Sequence, residues 1–382
     1  MTTKSMEIRM VDTIGQYANI REEVNAVVQE VLETGMYIGG PLVNKFKENL
    51  GKYLGTDHVI ACANGTDALQ VALMALDLQP GDEVITSPFT FFATAEVIAL
   101  LGLRPVFVDI DPGTFNIDPA KIEAAITPRS RCIIPVHLFG QSSDMAAIME
   151  IANRHKLWVI EDNAQAIGAE FIYPDGKRVK AGLVGQIGCT SFYPSKNLGA
   201  YGDAGAIFSN DAEMADRMQV ICNHGSHKKY YHERIGVNSR LDAIQAGILD
   251  VKLRHLDEYN AARQQAAADY DELLANVPGV SIPGRSNYST HVFHQYTIRI
   301  NAGRAERDRL QTALAARKIP SMVYYPVPLH IQDAYQPYGF KSGDFPVSEQ
   351  ASEEVLSLPM HSELDRAQVE YVVQNLIECL KS

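Results

Sequence analysis

The sequence predicts an α/β fold, a large domain on a mostly parallel sheet followed by a smaller C-terminal α+β domain. Three observations carry this. Short apolar runs bounded by turn residues recur up to "LWVIED", the pattern of buried parallel strands. Helical patterns separate those runs. After about residue 250 the alternation stops, and 382 residues are more than one compact core holds. The expected division is a large domain over residues 1–250, including an N-terminal helix, and a small one over 251–382.

Taken in order, "REEVNAVVQEVLETG" is an amphipathic helix that stops at Gly35. "VIACANGTDALQVALMALDL" is a strand, a turn and a helix. "EVITSP", "RPVFVDID", "CIIPVHLFG" and "LWVIED" are further buried strands, with "MAAIMEIANRHK" a helix before the last of them. The stretch from "SRLDAIQAGILDVKLRHL" to "YDELLANV" is one long connecting helix ending at the turn "PGVSIPG". Beyond it come a strand-like "HVFHQYTIRI", the helix "RAERDRLQTALAARK" and a helical C-terminus.

Composition narrows the function. Hydrophobic residues at 46% and charged residues at 21% are those of a soluble globular protein. No stretch is apolar for the ~20 residues a bilayer span needs. The opening "MTTKSMEIRMVDTIGQ" has no apolar core and does not read as a signal peptide. Cys62, Cys132, Cys189, Cys222 and Cys379 are odd in number and lack metal-type spacing. A reduced, cytoplasmic protein is expected, so Asn64-Gly-Thr is no glycosylation site. A net charge of −12 disfavours nucleic acid and gives no long-range pull on anions. An anionic substrate needs a local basic pocket, for which "HKKYYHER" at 227–234 is a candidate.

Four motifs suggest chemistry. In "NGTDAL", Asn64, Gly65 and Thr66 leave a strand and open a helix, where amides and the dipole favour a phosphate; taken alone, an ordinary helix cap is the commoner explanation. Glu161 and Asp162 stand at the end of a buried strand, where ligands of α/β sheets gather. A carboxylate there needs a partner, either a cationic ring nitrogen or the next helix's amides. Phe89, Phe91 and Phe92 in "TSPFTFFATAEVI" offer a ring to stack on a flat ligand, or belong to the core. In "TSFYPSKNLGAYGDAGAI", Lys196 lies among small residues and glycines spaced GxxGxxG, unlike the GxGxxG of dinucleotide sites. Partial desolvation there would free its amine for a Schiff base; the alternative is a surface lysine on a glycine-rich loop. A phosphate cradle, an acid for a pyridinium, an aromatic lid and an amine for an aldehyde together suit pyridoxal phosphate.

With "ANGTDAL", "DEVITSPFTFFATAE", "PVFVDIDPGTFNID", "PVHLFGQ", "VIEDNAQAIGA", "SFYPSKNLGAYGDAGA", "GVNSRLDAIQA" and "LSLPMH" in hand, the chain resembles the DegT/DnrJ/StrS sugar aminotransferases from about residue 8 to 378. The resemblance implies a fold-type-I pyridoxal phosphate transferase with a seven-stranded sheet. It implies that Lys196 carries the cofactor's aldehyde and moves the proton, and that Asp162 pairs with the pyridinium nitrogen. Gln165 would bond the phenolic oxygen, Gly65, Thr66 and Ser191 the phosphate, and Phe91 would stack on the ring. Asn238 would reach the phosphate from the neighbouring subunit of a homodimer. Tyr193, Arg240, Tyr325 and His330 are candidate substrate contacts; for Tyr325 and His330 a packed turn is an equal reading. Asn163 departs from the small residue of many relatives. The tail "NLGAYGDAGA" is similar to members that aminate C3 of a nucleotide-linked 3-keto sugar, with L-glutamate the donor and 2-oxoglutarate its product. A 4-keto sugar aminotransferase and a non-catalytic, cofactor-binding regulatory protein are the alternatives. A 3-dehydratase, which carries histidine in place of the lysine, is disfavoured by Lys196.

Overall fold

The computed structural model describes residues 6–381; the first five residues of the opening segment, and Ser382, lie outside it. In chain order the strands are β1 His58–Cys62, β2 Glu83–Thr86, β3 Arg104–Phe107, β4 Ser130–Ile133, β5 Trp158–Asp162, β6 Glu170–Ile172, β7 Arg178–Lys180, β8 Ile187–Ser191, β9 Gly205–Ser209, β10 Val280–Ser281, β11 Tyr296–Ile300 and β12 Val355–Leu358. Seven form one sheet in the order β1-β9-β8-β5-β4-β2-β3. The pairs from β3 across to β8 are parallel, and β9 runs antiparallel to both its neighbours. The remaining strands form the hairpin β6-β7 and a three-stranded antiparallel sheet β10-β11-β12.

The apolar runs read as buried strands because both faces of the large sheet are covered. Along β1, Ile60 and Cys62 join one core with the helices Gly65–Ala75, Ala93–Leu100 and Ala212–Cys222. Val59 and Ala61 face the other way, toward the helices Pro41–Leu54 and Ala243–Leu253. This two-residue alternation sorts each strand's side chains between the layers. The first expected helix is Arg21–Thr34, closed by Gly35 in the left-handed conformation (φ 66) that lets its N–H reach the Val31 carbonyl.

Two sequence expectations change. The long connecting helix is two helices, Ala243–Leu253 and Leu256–Leu274. No glycine or proline marks the break. At the break Arg254 and His255 both pair with Glu23 on the helix Arg21–Thr34. The strand expected across "HVFHQYTIRI" is confined to Tyr296–Ile300, and residues 291–295 pass irregularly beneath the cleft described next. The small sheet and the helices Leu256–Leu274, Arg304–Ala316 and Arg366–Leu380 enclose their own apolar core, in which Tyr270 and Tyr296 stack with centroids 4.7 Å apart.

Candidate active site

Parallel pairing brings the carboxyl ends of β5 and β8 to one edge of the sheet, and β1 ends there too. Gly205, the first residue of β9, is opposite both Cys62 and Ser191. A Cβ on Gly205 would fall 2.4 Å from the Asn64 carbonyl oxygen, and one on Gly65 would fall 2.6 Å from Ser191 Cβ. These glycines therefore let the turn after β1 and the end of β8 close on each other. Asn64 is an ordinary cap, its Oδ1 accepting from the Asp67 N–H at 2.8 Å. Gly65 and Thr66 begin the helix beside Ser191, at its positive end. The cap and the anion cradle are thus compatible.

The two acids at the end of β5 part company. Glu161, fully buried, accepts from the N–H groups of Gly182, Val184 and Gly185 at 2.8, 2.7 and 2.5 Å and pairs with His137 Nε2 at 2.7 Å. The Ser143 N–H bonds His137 Nδ1 at 3.2 Å, which puts the ring proton on Nε2, facing Glu161. Asp162 points the other way. Thr94 Oγ1 donates to its Oδ2 at 2.8 Å, and the Ala164 N–H approaches Oδ1 at 3.2 Å. Burial raises its pKa, against the pull of those donors and of the nearby Lys196 charge.

Lys196 reaches the cleft from the loop after β8. Part of the side chain is exposed, yet the protein packed around it lowers its pKa to about 8, with the Asp162 carboxylate opposing the drop. At pH 7 about a tenth of such an amine is free base, far more than of a solvated lysine, and that fraction is nucleophilic. Gln165 lies alongside. Its Oε1 accepts from the N–H of Phe139, a residue held at φ 59, and its Nε2 donates to Tyr325 Oη at 3.1 Å. Burial raises the Tyr325 pKa, so it stays a neutral phenol.

The structure thus brings together Gly65, Thr66, Ser191, Asp162, Gln165, Lys196 and Tyr325. Phe91 and Tyr193 are 57% and 55% exposed on the turns before Ala93 and before Lys196. Phe89 belongs to the core, packed on Phe115, Phe139 and Tyr325, and Phe92 packs on Tyr335. Asn238 and Arg240 are exposed on either side of buried Ser239, whose hydroxyl accepts from the Ala63 N–H. His330 is a correction: it is fully buried, bonded to Glu349 at 2.9 Å and packed on Phe345, so the packed-turn reading replaces substrate contact. The "HKKYYHER" loop stays on the surface, with Lys228 over the Tyr231 ring and Lys229 over that of Tyr230.

Sequence reasoning missed Thr94 and Phe139. Thr94 sits in an apolar helix, and Phe139 contributes only its backbone. A polar residue in the first turn of a largely apolar helix was the one available signal.

Over residues 18–377 the chain matches the model of the DegT/DnrJ/EryC1/StrS aminotransferase family. It is 49% identical to a Geobacillus stearothermophilus protein named pleiotropic regulatory protein, covering 98% of both chains. It is 46% identical to the UDP-2-acetamido-2-deoxy-3-oxo-D-glucuronate aminotransferase of Pseudomonas aeruginosa, over 96% of this chain and 98% of that one. The crystal structure of Streptomyces venezuelae DesV in complex with a ketimine intermediate superposes with a TM-score of 0.92 at 39% identity, covering 97% and 98% of the two chains.

Proposed function

The chain belongs to the DegT/DnrJ/EryC1/StrS aminotransferase family, and within it we propose a transfer of the amino group of L-glutamate to C3 of a nucleotide-linked 3-keto hexose. It is a pyridoxal phosphate-dependent aminotransferase acting on a nucleotide sugar. The observation that carries the reading is the Lys196 amine, with a pKa near 8, facing the buried Asp162 carboxylate.

The residues present fit that cofactor. Asp162 is a buried carboxylate whose raised pKa leaves it short of a cation, which a protonated ring nitrogen supplies. The glycine-tight turn at Gly65 beside Ser191 suits a phosphate at a helix N-terminus. Pyridoxal phosphate, when bound, supplies an aldehyde that takes up the amine and a ring that withdraws electrons from it. Lys196 Nζ would take up a proton from the donor's α-carbon and hold it for return, a task that suits an amine titrating near working pH. Asp162 would hold the ring end charged, and Thr94 fixes the carboxylate's direction. Gln165, positioned by the Phe139 N–H, presents its amide to the ring's oxygen. Gly65, Thr66 and Ser191 would receive the phosphate, and Phe91 would cover the ring. Tyr193 and Tyr325 border the space left for the sugar. The exposed Asn238 and Arg240 suit a site completed by a second copy of the chain, so that a homodimer is the working unit.

The C3 assignment draws on the "NLGAYGDAGA" tail and on the Pseudomonas relative, named for a 3-oxo substrate. A panel of freshly made 3-keto and 4-keto sugar nucleotides, incubated with protein, cofactor and glutamate, tests it. The expected product carries a 3-amino group; amination of 4-keto substrates alone refutes the assignment. The name of the Geobacillus relative favours a second reading, binding without catalysis. A yellow preparation whose visible absorbance does not respond to glutamate or any other amino donor would support it.

A further inference from the structure

Lys196 stands on a segment with no strand or helix to hold it, the stretch from residue 196 to 202. A four-carbon side chain reports every error of its backbone at the amine. The segment folds back on itself: Lys196 N–H bonds the Tyr193 carbonyl, Ala200 N–H bonds the Phe192 carbonyl, and Gly199 lies so close to Pro194 that a Cβ would fall 2.4 Å from its carbonyl oxygen. These bonds tie the segment only to its own neighbourhood.

Three side chains tie it to the rest of the molecule. Gln245 grips the Tyr201 backbone at both ends, its Oε1 accepting from N–H at 2.9 Å and its Nε2 donating to the carbonyl at 3.3 Å. Lys252 Nζ donates to the Gly199 carbonyl at 2.5 Å and lies over the Tyr201 ring, 5.1 Å from its centre. The third bond joins Asn197 Nδ2 to Asn260 Oδ1 at 2.7 Å, and Asn197 also donates to the Val292 carbonyl at 2.8 Å. Gln245 and Lys252 are two turns apart on the helix Ala243–Leu253 and so share one face, and Asn260 follows from the next helix, Leu256–Leu274. Along the loop they meet every second residue, 201, 199 and 197, in the opposite direction.

Two of the three bonds are dry. Lys252, Asn197 and Asn260 are 1%, 2% and 5% exposed. A buried carbonyl that loses its donor has no water to replace it, so each rung is costly to break. Burial lowers the Lys252 ammonium to about 7, with Glu363 opposing and Arg263 adding to the drop. Neutral or charged, Lys252 keeps a hydrogen for Gly199. It is too deeply buried to meet a ligand, so its work is mechanical.

We propose that Gln245, Lys252 and Asn260 are positioning residues, a three-rung ladder that sets the 196–202 loop and so aims the Lys196 amine at the space before Asp162. The proposal rests on Lys196 being the residue that takes up the cofactor aldehyde. The test strips the full-length protein of cofactor and follows capture of pyridoxal phosphate at Lys196, by the visible absorbance of the bound aldehyde and by borohydride labelling with peptide mapping. Lys252→Met keeps the length and loses the donor; capture is expected to slow about tenfold with a displaced absorbance maximum, a misplacement of a fraction of an ångström where a full ångström can cost about 100-fold. Lys252→Gln restores a donor and part of the rate. Gln245→Leu slows capture about threefold, both of its hydrogen bonds to the part-buried Tyr201 backbone being lost. Capture by Lys252→Met at the unaltered rate and wavelength overturns the ladder. If Lys252→Met does not fold, an unaltered rate in Gln245→Leu overturns it instead. A label that maps away from Lys196 in the unaltered protein overturns the cofactor reading itself, and is distinguishable because it needs no variant.

Discussion

On one side of the end of β5, Glu161 is surrounded by three backbone N–H groups and the Nε2 of His137; on the other, Asp162 meets one threonine hydroxyl and a single long contact from Ala164. Both carboxylates are buried. The first has all the hydrogen bonds a carboxylate wants and is part of the scaffold that holds the loop at 182–185. The second is kept short of partners, and burial drives its pKa upward. A group left wanting a cation in the native protein is a group prepared for a ligand that brings one. The protein gives up stability at Asp162 and recovers it only on binding, as functional sites commonly do.

The most forceful way to break this contrast is Asp162→Asn. Turnover should fall about 100- to 1,000-fold, because a preorganised charge opposite the ring is lost. The cofactor-free protein should melt no lower than its parent, and about a degree or more higher at pH 8. The sign follows from linkage: a carboxyl whose folded pKa is raised binds its proton more tightly in the native state, so stability falls as pH rises through the range between the unfolded and folded values. Calorimetry across pH 4 to about 8 checks it, and a large loss of melting temperature would place Asp162 with Glu161.

Lys196 sharpens the contrast from the facing side. With a pKa lowered to about 8, its cofactor-free amine should capture aldehyde with a midpoint near pH 8, and at that pH carry about 100-fold more free base than a solvated lysine. Stopped-flow absorbance against pH measures this; a midpoint near 10.5 would return Lys196 to the ordinary surface class. Glu161→Gln is the reciprocal experiment. Replacing a carboxylate among four donors by an amide should cost about 2–4 kcal/mol of stability, read by denaturant unfolding, with little change in turnover per folded molecule. The smallest expected effect is Thr94→Val. Loss of the bond that aims Asp162 should reduce turnover about tenfold and leave the melting temperature within a few degrees.

Much of the fold was legible because its signals are local. Apolar runs of four or five residues, a left-handed glycine at a helix end and an Asn-Gly-Thr turn need no distant partner to be read, and Gly35 and Asn64 stand where those rules put them. The break at Arg254 was not legible, because no glycine or proline marks it and the residue that Arg254 pairs with, Glu23, lies more than two hundred residues earlier. In the same way His330 could be a contact or a packed turn until Glu349 was found bonded to it.

The amino-acid sequence by itself determined the types of group available and their place at strand ends: an amine at 196, consecutive acids at 161 and 162, a glycine turn at 65. It could not rank the two acids or make one lysine among many reactive. Those differences come from desolvation and hydrogen-bond supply, which depend on what other segments bring to within a few ångströms. Thr94, Phe139, Ser143, Gly182 and Lys252 arrive from elements scattered along the chain, and only tertiary structure gathers them.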